Sequence, residues 1–155
     1  MTLTRRELRQ AVASMGVTAG DVIMIHAALR SVGPMMNGPD ALIGALLDVL
    51  GPEGTLAVYT DWDACYDAFL DAEGRVPAAL RQDIPPFDPK TSRAQRDHGA
   101  IAEFIRTTPG AVRSASAGAS VAAIGAKAEW LTANHPLDYG YGEGSPFDKI
   151  MQANG

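Results

Sequence analysis

A sheet flanked by helices, the α/β class, is the architecture that three features of the sequence predict. Val22 to Ile25 is a short apolar run with β-branched members, bounded by polar and small residues, as a buried strand requires. Apolar residues recur at helical spacing in Leu8, Val12 and Met15, and again in Leu42, Ile43, Leu46, Leu47 and Leu50. Helix-like and strand-like segments alternate along the first sixty residues, the pattern of helices packed on a sheet.

Each element has its own local signal. Thr4 and Glu7 form a T-x-x-E capping box, Leu3 and Leu8 stand at staple positions, and Gly16 stops a helix from about Arg5 to Met15. The strand at Val22 to Ile25 leads into a segment read as a loop. A second helix begins near Pro39 and ends at Gly51 and Pro52. TLAVYT, Thr55 to Thr60, is the next strand. Residues 61 to about 95, rich in Pro and Asp, are too long for an ordinary connector, and their aromatics favour function over disorder. A helix from about Gly99 to Thr107 follows, closed by Pro109 and Gly110. Ser120 to Ile124 reads as a strand and Ala126 to Thr132 as a helix. Ser145, Pro146 and Asp148 cap a last one.

With 46% hydrophobic residues over 155 positions, the chain can bury the core of a single domain, 1–155, and no repeat or linker divides it. No apolar run approaches the roughly 18 residues that span a bilayer. MTLTRRELRQ lacks the apolar stretch of a secretory signal, so a cytoplasmic protein without membrane contact is expected. The lone Cys65 excludes an internal disulfide and suits plain burial. No spacing of His26, His98 or His135 suggests a metal site, and ordinary structural or surface roles are expected for all three.

Charge is more informative. A net charge of −5 argues against nucleic acid and fits a cationic partner. Asp61, Asp63, Asp67, Asp71 and Glu73 stand in one stretch without Lys or Arg, among Tyr59, Trp62, Tyr66 and Phe69. Such a stretch is either a solvated acidic loop or a cradle for a ligand carrying several ammonium groups and sugar-like faces.

After the first strand, ALRSVGP can offer backbone N–H groups and Arg30 to a phosphate, or serve as a plain turn. It is neither G-x-G-x-x-G nor G-x-x-x-x-G-K-[ST]. Met35 also breaks the pyrophosphate-loop pattern of the common N-acetyltransferase superfamily. VRSASAGASVAAIG crowds Ser114, Ser116 and Ser120 among small residues, which suits close sheet packing or the approach of a thin ligand.

Four blocks together resemble the amino-terminal part of the aminoglycoside 3-N-acetyltransferase family, whose antibiotic N-acetyltransferase fold differs from the common superfamily. They are GVTAGDVIMIHAALRSVG, GPEGTLAVYTDWD, IPPFDPKTSRAQRDHGAIAEFIRTTPGAVRS and HPLDYGYGEGSPFDKI. The resemblance implies acetyl transfer from acetyl-coenzyme A to the 3-amino group of an aminoglycoside antibiotic, which confers resistance, with no metal. It implies that Leu29, Arg30, Ser31, Val32 and Gly33 form the loop at the coenzyme pyrophosphate, and that Ser114, Ser116 and Ser120 line the pantetheine and acetyl end. Asp61, Asp63, Tyr66, Asp67, Glu103, Tyr139 and Tyr141 would face the antibiotic.

Two departures stand out. Many relatives carry His-Pro or Asn-Pro where this chain has Ser116 and Ala117. The general-base histidine of the family is expected beyond Gly155, so the chain reads as an amino-terminal portion, incomplete at its carboxyl end and inactive alone. The alternatives are a non-catalytic module binding coenzyme A or aminoglycoside, and the same fold acetylating another amine.

Overall fold

The computed structural model describes residues 2–63 and 66–155, with Tyr66 and Asp67 described by their backbone alone. The expectation for Cys65 lies outside the described residues.

Helix α1, Arg5–Ser14, starts as its capping box requires: the Glu7 N–H donates to Thr4 Oγ1 at 3.3 Å, and the Thr4 N–H donates to the Glu7 carboxylate at 2.8 Å. Its buried stripe, Leu8 and Val12, packs on α3, Pro39–Leu50, and Arg5 spans the same pair of helices with a two-point contact to Asp48 at 2.6 and 2.7 Å. Between them lie strand β1, Val22–Ile25, and a single helical turn, α2, Leu29–Val32. A loop was expected at α2. Four residues are too few for a helical period to show in a sequence.

Strand β2, Thr55–Tyr59, pairs in parallel with β1, from Val22 opposite Thr55 to Ile25 opposite Val58. On the far side of β2 lies antiparallel β4, Val121–Gly125, one residue later than predicted: Ser120 lies just before it, its carbonyl accepting the Thr60 and Asp61 N–H groups. The two-residue strand β3, Val112–Arg113, pairs with β4 and completes the order β1-β2-β4-β3. The sequence reading missed β3, since two residues carry no alternation. Helices α4, Ala100–Thr107, α5, Ala128–Thr132, and α6, Pro146–Gln152, complete the α/β fold.

Strand alternation divides the core between the two faces of the sheet. Leu56, Val58 and Ala122 meet α1, α3 and α4 on one face, while Ala57, Val121 and Ala123 meet α5 and α6 on the other. Among the described residues, no helix is long and apolar enough to cross a membrane.

Leu56 is fully buried at the centre of this arrangement. Leu56→Ala is expected to cost about 2–5 kcal/mol of unfolding free energy, read from urea titration. A loss under about 1 kcal/mol would contradict the packing described.

Candidate functional site

Both parallel strands deliver their carboxyl ends to one side of the sheet, where open α/β proteins bind ligands. From β1 the chain passes through Ala27 and Ala28 into α2. Leu29 and Val32 pack on the core, Arg30 and Ser31 are exposed, and Gly33 at φ 97° ends the turn in a conformation that favours glycine. Opposite, α4 begins after Gly99, at φ 82°, where a Cβ would stand 3.4 Å from the Ala27 carbonyl oxygen.

Between these two elements runs an open cleft of about 790 Å³, lined by Leu29, Arg30, Asp63, Arg93, Arg96 and Glu103 among others. A smaller cavity of about 380 Å³, lined by Trp62, Phe69 and Asp83, shares Asp63 with it. The sequence-predicted residues Leu29, Arg30, Asp63 and Glu103 therefore meet at one place. Cationic Arg30, Arg93 and Arg96 share its walls with anionic Asp63 and Glu103.

Glu103 is held from four directions. Arg93 Nη1 and Arg106 Nη2 donate to one carboxylate oxygen at 2.8 and 2.6 Å, and the Ala94 N–H and Arg106 Nε donate to the other at 2.9 and 2.8 Å. Burial alone would raise its pKa. The hydrogen bonds from Arg106, Ala94 and Arg93 outweigh burial and hold it down to about 2. The Arg106 side chain, only 6% exposed, also donates to the Lys90 carbonyl and thereby fastens the long loop to α4.

Asp61 occupies a strained backbone at φ 28°. One carboxylate oxygen accepts the Trp62 N–H at 2.7 Å. The other accepts the Tyr59 hydroxyl at 3.3 Å and stands 3.7 Å from His98 Nε2. The Tyr59 and Tyr141 hydroxyls are 2.6 Å apart, and the His98 ring packs on Tyr59 with 4.2 Å between centroids. Burial, then the Tyr141 hydrogen bond and the Asp61 charge, push the Tyr59 pKa upward, so it stays a neutral phenol. Tyr139 and Tyr141 are exposed. The side chains of Tyr66 and Asp67 lie outside the described residues.

The serine block is built into the fold. Ser114 is buried: its Oγ accepts the Val121 N–H at 3.0 Å and lies 2.8 Å from His135 Nδ1. His135 Nε2 contacts the Gly140 carbonyl at 2.7 Å, and a carbonyl can only accept, so Nε2 carries the proton. Burial lowers the His135 pKa and favours the neutral ring, which leaves Nδ1 to accept the Ser114 hydroxyl. The structural role expected for His135 is thereby explicit. Ser120 is buried against Thr60 Oγ1 and Arg113 Nε, while Ser116 lines a separate shallow cavity with Tyr141 and Phe87.

The sequence reading missed Arg93, Arg96, Arg106, Arg113 and His98 as parts of this region. An arginine in a loop is indistinguishable from a solvated one until its partners fold around it. His98 Nε2, buried and without a hydrogen-bond partner, gave no sequence signal either. Among the described residues, no group of three His, Cys, Asp or Glu side chains is placed to hold a metal ion.

The family profile described as aminoglycoside 3-N-acetyltransferase matches residues 24–155. The chain belongs to that family. Aminoglycoside N(3)-acetyltransferase III of Pseudomonas aeruginosa is 42% identical over 152 residues, covering 98% of this chain and 56% of that protein. Aminoglycoside N(3)-acetyltransferase VII of Streptomyces paromomycinus is 39% identical, covering 99% of this chain and 54% of that one. Two solved family structures superpose over 99% of this chain and 57% of their own lengths. AAC-IIIb, in a binary complex with CoASH, does so with TM-score 0.96 at 54% identity, and AAC-VIa bound to sisomicin with 0.93 at 38%. The antibiotic N-acetyltransferase fold expected from the sequence is therefore present, and the chain spans a little over half the length of these family members.

Glu103 makes stability depend on pH with a definite sign. Its folded pKa, about 2, lies below the ordinary 4.5, so its contribution is complete above pH 4.5 and is lost as pH falls toward 2. Glu103→Gln is expected to destabilise by about 1–3 kcal/mol at pH 7, with the deficit shrinking between pH 4.5 and 2 in chemical denaturation. A deficit unchanged down to pH 2 would contradict the assignment.

Proposed function

We propose that these 155 residues form the amino-terminal portion of a cytoplasmic enzyme that transfers acetyl from acetyl-coenzyme A to the 3-amino group of aminoglycoside antibiotics, and so confers resistance. The observation that carries this reading is the single cleft in which the Arg30 turn, Arg93 and Arg96 share walls with Asp63 and Glu103. Guanidinium groups suit the phosphates of a coenzyme, and carboxylates suit the ammonium groups of an aminoglycoside. Coenzyme A and sisomicin, the ligands of the two solved relatives, carry those two chemistries.

In this reading Leu29 and Val32 anchor the turn from within while Arg30, Ser31 and the backbone up to Gly33 meet the pyrophosphate. Ser116 stands toward the acyl end, and Ser114 and Ser120 shape that wall from behind. Asp61, Asp63, Tyr139 and Tyr141 are assigned to the antibiotic face, with Tyr66 and Asp67 added by the family resemblance. Glu103, its carboxylate taken up by Arg93, Arg106 and the Ala94 N–H, stiffens the cleft wall rather than pairing the ligand. Acetyl transfer needs the acceptor amine neutral, so a base must take its proton, and donors must hold the thioester oxyanion. The base is the histidine that the family resemblance implies beyond Gly155. Binding of the two ligands is the part of that reaction assigned to these residues. The cytoplasm is the proposed setting because acetyl-coenzyme A is a metabolite of that compartment.

Calorimetry tests this directly. The chain should bind coenzyme A and sisomicin, and replacing Asp61 and Asp63 together by Asn should weaken sisomicin on the order of tenfold at low salt. That loss should narrow as ionic strength rises past about 0.1 M, where the Debye length falls to roughly 10 Å. Equal affinity for sisomicin and for simple monoamines, or a loss indifferent to salt, would overturn the polycation reading.

A further inference from the structure

Arg113, on the short strand β3, sends its guanidinium under the long loop. Its Nε donates to Ser120 Oγ at 2.9 Å and Thr60 Oγ1 at 3.1 Å, its Nη1 to the Ser92 carbonyl at 2.5 Å, and its Nη2 to the Asp61 carbonyl at 2.6 Å. The cation also lies 4.8 Å from the centre of the Phe87 ring. One side chain thus ties together the end of β2, the start of β4 and two points of the 61–95 loop.

The choice of partners is informative. A guanidinium pairs best with a carboxylate, bidentately. Arg113 instead binds the main-chain carbonyl of Asp61 and leaves its carboxylate to Tyr59, Trp62 and the neighbourhood of His98. The left-handed backbone of Asp61 persists only where its surroundings over-determine it. Its N–H donates to the Ser120 carbonyl, and its own carbonyl accepts the Gln95 N–H as well as Arg113. Arg113 is the charged member of that set and also holds the Ser120 hydroxyl.

We propose that Arg113 is a positioning residue for ammonium recognition: it locks the Asp61 backbone so that the carboxylate stays on the antibiotic face, without itself touching the ligand. The inference rests on the reading above that Asp61 meets the polycation. Lysine keeps the charge but loses the planar fork that reaches several segments at once, so Arg113→Lys isolates geometry from charge.

The test is a double-mutant cycle between Arg113→Lys and Asp61→Asn, with sisomicin and coenzyme A titrated by calorimetry and folding followed by thermal unfolding. Arg113→Lys should weaken sisomicin about tenfold, clearly more than it weakens coenzyme A, whose wall Arg113 reaches only through Ser120. In the Asp61→Asn background the same change should cost little further, because residues acting through one another are not additive. Equal losses in both backgrounds, or parallel losses for sisomicin and coenzyme A, would reduce Arg113 to a general structural role and overturn the proposal. If Asp61→Asn alone leaves sisomicin unaffected, the polycation reading falls and takes this inference with it. Should Arg113→Lys not fold, Phe87→Leu, which removes the ring under the guanidinium, carries the same expectation with a smaller loss. No change in sisomicin affinity there would equally overturn the proposal.

Discussion

The parallel pairing of Val22–Ile25 with Thr55–Val58 is the constraint on which the functional region depends. A parallel pair needs a crossover, supplied here by α2 and α3, and it brings two carboxyl ends out side by side. One end becomes the Arg30 turn and the other becomes Thr60 to Asp63. Had these strands paired antiparallel, the turn and the acidic segment would leave opposite ends of the sheet, and no single cleft could hold both.

What the sheet brings close, buried cations then shape. Among its described residues the 61–95 loop has little regular structure beyond short 3-10 turns, so its backbone carbonyls need partners from elsewhere. Arg106 takes the Lys90 carbonyl and Arg113 those of Ser92 and Asp61. Glu103 closes the set by binding Arg106, Arg93 and the Ala94 N–H together. Arg106, Arg113 and Glu103 are largely withdrawn from solvent and multiply hydrogen-bonded, the condition under which an ion pair orders a loop rather than decorating a surface, while Arg93 joins from the exposed side. A long irregular segment is thereby a wall of defined shape.

The serine block extends the same logic to the other side of the sheet. From the Val121 N–H through the Ser114 hydroxyl and the His135 ring to the Gly140 carbonyl, a chain of hydrogen bonds links β4 to the segment that carries Tyr139 and Tyr141. A neutral His135 fits this role because it can accept at Nδ1 and donate at Nε2 at once. The position of Tyr141 beside Tyr59 follows from that chain and from their shared contact with the Gly118 carbonyl.

The sequence by itself determined the main elements, because the capping box at Thr4, the apolar spacing of α3 and the strand composition of VIMI and TLAVY are local signals that need no partner to be read. It also determined the ligand chemistry to expect, through the acids from Asp61 to Glu73 and the four blocks that mark the family. Only the tertiary structure decided that β3 exists, that α2 is helical, and that Arg30, Asp63 and Glu103 share one cleft. It alone revealed that Ser114 and Ser120 are buried struts and that Arg106 and Arg113 hold the loop. The physical reason is distance along the chain. Arg113 reaches Asp61 across fifty-two positions and His135 reaches Ser114 across twenty-one, and a hydrogen bond between residues so separated leaves no periodic trace in the sequence.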